Sequence, residues 1–257
     1  MPRRSLALAA LTIAASSAFA DASVVIAITN PTETDKITND PVSTTASLVL
    51  SDSSAFGYAN LDTGVLRSTS DGPPAQPASG FPAQQFSTQS AAQIQDSVTF
   101  GAGASGTGYL DWQFDGTLSA FALPVHSATA ALALGVGGFG ETVYLANDPT
   151  FCGGSQPLCF EGTSIHATGS IPFEIAPGTM QISAFLQTVA FDGSTADFSN
   201  TGMLYLRLPT GMAYTSGSGT FLQDAAPIVA TVPEPSPLIA MLLGLGLVAR
   251  FGRRSRA

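Results

Sequence analysis

The chain has 257 residues, of which 45% are hydrophobic and only 11% charged, against roughly 25% charged in an average globular domain. Between Asp21 and Val232 three cations (Lys36, Arg67 and Arg207) stand against 17 acids, a formal charge of −14. Nucleic-acid affinity rests on Lys and Arg neutralising phosphates, so this balance argues against DNA or RNA as a partner.

Residues 1–20, MPRRSLALAALTIAASSAFA, have the three parts of a secretory signal. Arg3 and Arg4 form the positive end, residues 6–15 the apolar stretch, and Ala18 and Ala20 the small residues at −3 and −1. Cleavage is expected before Asp21. Ten apolar residues reach only about 15 Å as a helix, half of a hydrocarbon core of roughly 30 Å, so a permanent anchor is disfavoured. The general secretory route is expected, because the motif around the arginine pair is poor for twin-arginine export.

From residue 21 to 231 the chain shows period-two alternation bounded by Gly, Pro, Asn and Asp. Strands are expected at 24–29, 45–50, 96–100, 109–115, 118–123, 128–136, 141–146, 164–171, 180–187, 203–208 and 214–216. Gln93 and its neighbours read as a single helical turn, and 72–82 (GPPAQPASGFP) as a long surface loop. Turns are expected at Asp115-Gly116, Pro177-Gly178, Asp192-Gly193 and Ser216-Gly217. In 109–115 Leu110, Trp112 and Phe114 share one face, which places Trp112 in the core rather than on a sugar-stacking platform. The fold class is therefore all-β: an antiparallel β-sandwich, jelly-roll-like in size, read as one domain over 21–231.

Candidate chemistry along this body is sparse. Gly135-Val136-Gly137-Gly138-Phe139-Gly140 spells the dinucleotide fingerprint, but Glu141-Thr142-Val143-Tyr144-Leu145 follows as a strand, so no helix N-terminus is supplied for a pyrophosphate. A Gly-rich hairpin is expected instead. Cys152 and Cys159 enclose Gly153, Gly154 and Pro157; in an oxidising compartment this spacing favours a local disulfide, whereas two thiols fall short of zinc's four ligands. His126 and His166 are the histidines, and no G-x-S-x-G elbow accompanies them, although Ser164 and His166 share a strand face. Asp111, Asp115 and Glu141 are the acids nearest strand ends for a glycosidase pair. Asp192, Ser194, Asp197 and Asn200 in FDGSTADFSN offer oxygen ligands, a weak possibility of Ca²⁺ without an EF-hand pattern.

The last 26 residues, 232–257, are built differently. Pro233, Glu234 and Pro235 precede an apolar run, 238–249, about 18 Å long as a helix and roughly 22 Å if extended to 252. Pro233, Pro235 and Pro237 bar the helix from continuing upstream. Arg250, Arg253, Arg254 and Arg256 should stay cytoplasmic by the positive-inside rule. A short transmembrane helix over 238–252 is expected, with the body outside.

Motif, short helix and arginine cluster, in that order, resemble the PEP-CTERM sorting signals of Gram-negative bacteria, a tail also known as the C-terminal domain of ice-binding proteins. The resemblance implies recognition of Pro233-Glu234-Pro235 by a membrane peptidase-transpeptidase, exosortase, and an association with exopolysaccharide. It covers the tail; NLDTGVLRS, QDSVTF and FDGTLS in the body have a similar but less specific cadence. An ordinary tail anchor would share the orientation without needing Glu234. The reading is an exported envelope or matrix protein, transiently held in the inner membrane, with a structural or adhesive rather than catalytic body. A carbohydrate-binding module is the alternative, and a glycoside hydrolase comes after it.

Overall fold

The computed structural model describes residues 21–29, 34–50, 52–74, 87–119, 128–146, 159–161, 163–191 and 193–222. The expected signal helix, the tail with the helix expected over 238–252, Cys152, His126 and Asp192 lie outside the described residues. Those described contain no helix and belong to one compact unit, Met1–Pro227. Their strands are β1 (Asp21–Thr29), β2 (Thr34–Asp40), β3 (Ser43–Val49), β4 (Ser54–Asn60), β5 (Val65–Asp71), β6 (Ser87–Phe100) and β7 (Gly106–Ser119). There follow β8 (Thr129–Val136), β9 (Phe139–Ala146), β10 (Cys159–Glu161), β11 (Ser164–Ile175), β12 (Gly178–Phe191), β13 (Thr195–Arg207) and β14 (Tyr214–Ser216).

They form two sheets. The first runs β10-β9-β8-β12-β6-β1-β2, with β14 continuing along β6; the second runs β11-β7-β13-β5-β4-β3. Among the described strands all pairs are antiparallel except β9 with β10. The sheets pack face to face, β6 and β12 over β5, and β1 over β3 and β4. The all-β expectation thus holds, as a two-sheet sandwich. Strands on both sides of 72–82 share these sheets, because β1 pairs with β6 and β5 with β13.

The pleat sorts the side chains. In β7 Leu110, Trp112 and Phe114 are buried, while Tyr109, Asp111, Gln113 and Asp115 line the outer face. In β12 Ile182, Ala184 and Leu186 are buried, and Phe185 sits half-buried on the opposite face. Trp112 is only 1% exposed, in the core as its alternation predicted.

Four of the core rings in the second sheet lie on glycines of the adjacent strand. A Cβ on Gly169 would overlap the Trp112 indole, one on Gly108 the Phe173 ring, one on Gly116 the Phe198 ring, and one on Gly202 the Phe114 ring. Trp112 is opposite Gly169, Phe173 opposite Gly108 and Phe114 opposite Gly202, so each ring fills the volume its partner leaves vacant. This arrangement ties β11, β7 and β13 into one register.

It also corrects a turn. Asp115-Gly116 lies inside β7, not between strands, because Gly116 is where the Phe198 ring crosses. Leu118 accordingly belongs to the end of β7, which closes at Ser119, rather than opening a new strand, and 120–123 lie outside the described residues. Gln93 is not in a helical turn either; it sits in the middle of β6, paired with Phe185 of β12. Gly72 and Pro73 are buried rather than part of a surface loop, Gly72 N donating to Ser194 O at 2.9 Å.

β13 carries two extra residues near Asn200: Asp197 and Thr201, four apart, face Thr117 and Asp115, two apart. A bulge of two residues leaves the pleat in phase, so Phe198 and Leu204 both remain buried. Val136 pairs with Phe139 around Gly137 (φ 56°) and Gly138 (φ 90°), a two-residue turn with both φ values positive. The fingerprint glycines therefore build the expected hairpin.

The end of the body is fastened to the core. Asp96, fully buried in β6, accepts from Ser97 N at 2.7 Å, Ser218 Oγ at 2.5 Å and Ser218 N at 3.2 Å. Gly217 lies so close that a Cβ there would be 2.9 Å from Asp96 Oδ1. Tyr214 donates its hydroxyl to Phe221 O at 2.6 Å. Phe221 is fully buried, and Leu222, only 6% exposed, donates its N–H to Leu61 O at 3.0 Å.

Candidate functional site on the outer face of the second sheet

Across β11, β7 and β13 the outer face is laid out in rungs: Pro172–Tyr109–Arg207, Ser170–Asp111–Tyr205, Thr168–Gln113–Met203 and His166–Asp115. Arg207, one rung from Asp111, reaches it diagonally. Its Nε donates to Asp111 Oδ2 at 2.7 Å and its Nη2 to Oδ1 at 3.0 Å, while Ser170 Oγ donates to Oδ1 at 2.6 Å. The guanidinium also lies over Tyr109, 4.1 Å from the ring centroid.

Partial burial pushes the Asp111 carboxyl up, but the hydrogen bonds from Arg207 and Ser170 and the guanidinium's charge outweigh it and hold the group below its ordinary value. Arg207 is held above its own, chiefly by the hydrogen bonds to Asp111. The sign for stability follows. A lowered carboxyl favours the fold above the ordinary range of about pH 4, and that contribution is lost as pH falls through the lowered folded value. In Arg207→Met only the Ser170 hydrogen bond is left to oppose the desolvation. The Asp111 carboxyl is then expected to titrate above its wild-type folded value, so that less stability is lost on acidification. Carboxyl NMR titration of Asp111 with acid unfolding checks this; an unchanged Asp111 midpoint in the variant would remove Arg207 as the cause.

Asp115 is engaged on both sides, by His166 Nδ1 at Oδ1 and by Gln113 Nε2 at Oδ2, 2.9 Å. Ser164 shares the outer face with His166, two residues along β11, where it pairs with Thr117. Asp111 and Asp115 lie four residues apart on one strand, about 13 Å at the strand rise, beyond the roughly 5–10 Å of a glycosidase pair. Glu141 is on β9 in the other sheet. The three acids do not converge.

Of the calcium candidates, Ser194 is buried and its Oγ accepts from Phe191 N at 2.9 Å, while Asp197 Oδ1 accepts from Ser199 N at 2.9 Å on the outer face. Among the described residues no three His, Cys, Asp or Glu side chains gather to hold a metal. Asp21 opens β1 and Cys159 opens β10. Ala18, Ala20, Cys152, Pro233, Glu234, Pro235 and the terminal arginines lie outside the described residues.

A feature the linear sequence does not display is a diagonal, half-buried stripe across this face: Phe56 and Tyr58 of β4, Val65 of β5, Met203 and Tyr205 of β13, and Tyr109 of β7. Arg67 stacks over Tyr58 at 5.6 Å, and its Nε, closed off from solvent, has no hydrogen-bond acceptor. The stripe joins strands up to 150 residues apart in the chain, so only the fold assembles it.

No protein-family model and no curated protein matches the chain. Among solved structures, the Agl-KA catalytic domain aligns with 49% of this chain and 23% of its own length at 14% identity, with a TM-score of 0.16. The alignment spans less than a quarter of that protein, and its TM-score is too low to carry an argument about fold or function.

Proposed function

We propose that the chain is an exported protein of the cell envelope or extracellular matrix, sorted through the inner membrane by a PEP-CTERM tail, with a structural or adhesive sandwich as its body. The observation that carries this is the ordered triplet in the tail: Pro233-Glu234-Pro235, a short apolar run over 238–249, and Arg250, Arg253, Arg254 and Arg256. In this reading residues 1–20 and 238–252 are the export and membrane helices, exosortase is the processing partner, Cys152 and Cys159 form a disulfide, and the sandwich is jelly-roll-like. β1 starts at Asp21 with Ala22 fully buried, so cleavage before Asp21 would leave the strand whole.

The stripe favours a second reading of the body, as a carbohydrate-binding module. Half-buried rings along the outer face of the sheet suit the apolar faces of a sugar polymer. The natural associate would be exopolysaccharide.

One experiment addresses both. The protein is recovered from its native host, its intact mass measured, and any co-recovered polysaccharide analysed, with and without Glu234→Ala. The expected wild-type species runs from Asp21 to near Val232 and is lost in the variant. A wild-type mass still including Arg256, unchanged by Glu234→Ala, would replace sorting with a plain membrane anchor.

A further inference from the structure

We infer that β11 is a docking edge at which two copies of this chain pair antiparallel, carrying the second sheet of one sandwich into that of the next. The inference rests on the body and is independent of the sorting tail and of the aromatic stripe.

β11 ends the second sheet on the side away from β3, and among the described residues no strand lies beyond it. The other sheet edges are short: β10 has three residues, β2 and β3 seven each. β11 has twelve, in unbroken register with β7 and without a bulge. Its outward side chains Ser164, His166, Thr168, Ser170, Pro172 and Glu174 are exposed, whereas Asp111, Gln113 and Asp115 beside them on β7 are half-buried. A long, flat edge of this kind is a template for another strand.

One bond fixes which backbone groups it offers. Leu118 N donates to Thr163 O at 2.9 Å, one step beyond the facing pair Ser164 and Thr117. Facing residues of an antiparallel pair alternate between exchanging both hydrogen bonds and turning N–H and C=O away. Odd-numbered residues of β11 therefore bond to β7, and even-numbered ones present their groups at the free edge. Pro172 has no N–H to present, so the usable edge is 164–170. A two-fold axis at its midpoint, Ala167, sets Ser164 opposite the partner's Ser170 and His166 opposite the partner's Thr168. Each of these pairs can exchange both bonds while Pro172 stays outside. The pleat also agrees, because the buried Ile165 and Ala167 then meet residues of the same inner face.

Charge favours a second copy at this edge over any other part of the surface with acids in the open. A body of −14 repels its like. Along 164–170 there is no Asp, Glu, Lys or Arg. The acids behind this stretch on β7 are already engaged, Asp111 by Arg207 and Asp115 by His166. Glu174 lies past Pro172, and Glu161 belongs to β10 in the other sheet. The Ser, Thr and His side chains that remain both donate and accept hydrogen bonds, as a self-pairing surface requires.

The test is sedimentation equilibrium of the full chain in a mild detergent, with Thr168→Pro as the variant. Residue 168 turns its N–H to the free edge, so proline there removes no bond to β7. Trp112, the sole tryptophan, lies against Gly169, and its emission reports whether the sheet is intact. The expected result is a wild-type dimer that tightens with added salt, as repulsion between the bodies is screened, and a dissociation constant raised at least about tenfold in the variant. By hydrogen exchange, the Thr168 amide should gain protection as concentration rises, while the Ala167 amide, bonded to β7, is slow throughout. If Thr168→Pro shifts the Trp112 emission, Thr168→Lys, which keeps the backbone and charges the edge, takes its place with the same expected rise. A wild-type chain that is monomeric at every concentration, or a dimer that neither variant weakens, as association through the tail would give, overturns the inference.

Discussion

Gly169→Ala is expected to destabilise the sandwich by about 3 kcal/mol, seen as a lowered urea midpoint at an unchanged slope. The methyl would be driven into the Trp112 indole, and neither side has room to yield. Trp112 is 1% exposed and flanked by Phe114 at 6.5 Å between centroids, so the indole cannot swing outward. The backbone cannot retreat either, because β11 is bonded to β7 over all twelve of its residues. Trp112 Nε1 has no hydrogen-bond acceptor, so packing alone holds the ring. That gives the prediction a second arm. In Trp112→Leu the obstacle is gone, and adding Gly169→Ala to that background should cost far less than in the wild type, a non-additivity of about 1–3 kcal/mol. A loss under about 0.5 kcal/mol for Gly169→Ala alone, the size of an ordinary surface change, would show that the ring does not depend on the glycine.

The same ring-on-glycine packing explains which strands sequence reading finds. Alternation of Leu110, Trp112 and Phe114 announces β7, but the reading stops at Asp115-Gly116, because a glycine after an acid resembles a turn when its cross-strand ring is unknown. β4 and β5 escape altogether. Their buried positions are Ala55, Gly57 and Ala59, and Leu66, Ser68 and Ser70, hardly an apolar face. Small residues are required there because the sheets are bridged at this point. Ser68 and Ser70 meet Thr188 Oγ1 at 2.7 and 2.8 Å, and Ser90 Oγ donates to Phe56 O at 2.7 Å. Buried hydroxyls that satisfy one another stabilise a close approach, whereas a hydropathy pattern reads them as solvent-facing.

On the outer face the loss is of another kind. Alternation shows that Arg207 faces out, and the strand of Asp111 is legible, but the 96 residues between them hide the pairing. Conversely, Ser164 and His166 sit visibly close in sequence, while the contact His166 makes is with Asp115, 51 residues away.

Asp96→Ala is expected to open the C-terminal fastening before the sandwich unfolds. The carboxylate is fully buried and receives Ser97 N, Ser218 N and Ser218 Oγ. Removing it strands these donors at about 1–3 kcal/mol for each left unsatisfied. The loss should be local. β14 is three residues long and pairs with β6 alone, so the segment has few backbone bonds with which to survive. Hydrogen exchange on the full chain should show the amides of Thr215, Gly217, Phe221 and Leu222 losing protection, while those of β7 and β12 keep theirs until global unfolding. Ser218→Ala keeps the carboxylate bonded to Ser97 N and the residue 218 amide but removes the hydroxyl that accepts from Thr220 N and Phe221 N, so it should loosen the same segment. If Phe221 stays protected to the global limit in Asp96→Ala, the apolar seat of Phe221 and Leu222 holds the segment without the carboxylate. Release in Asp96→Ala would instead make Asp96 the residue that holds the segment from β14 to Leu222 against β6.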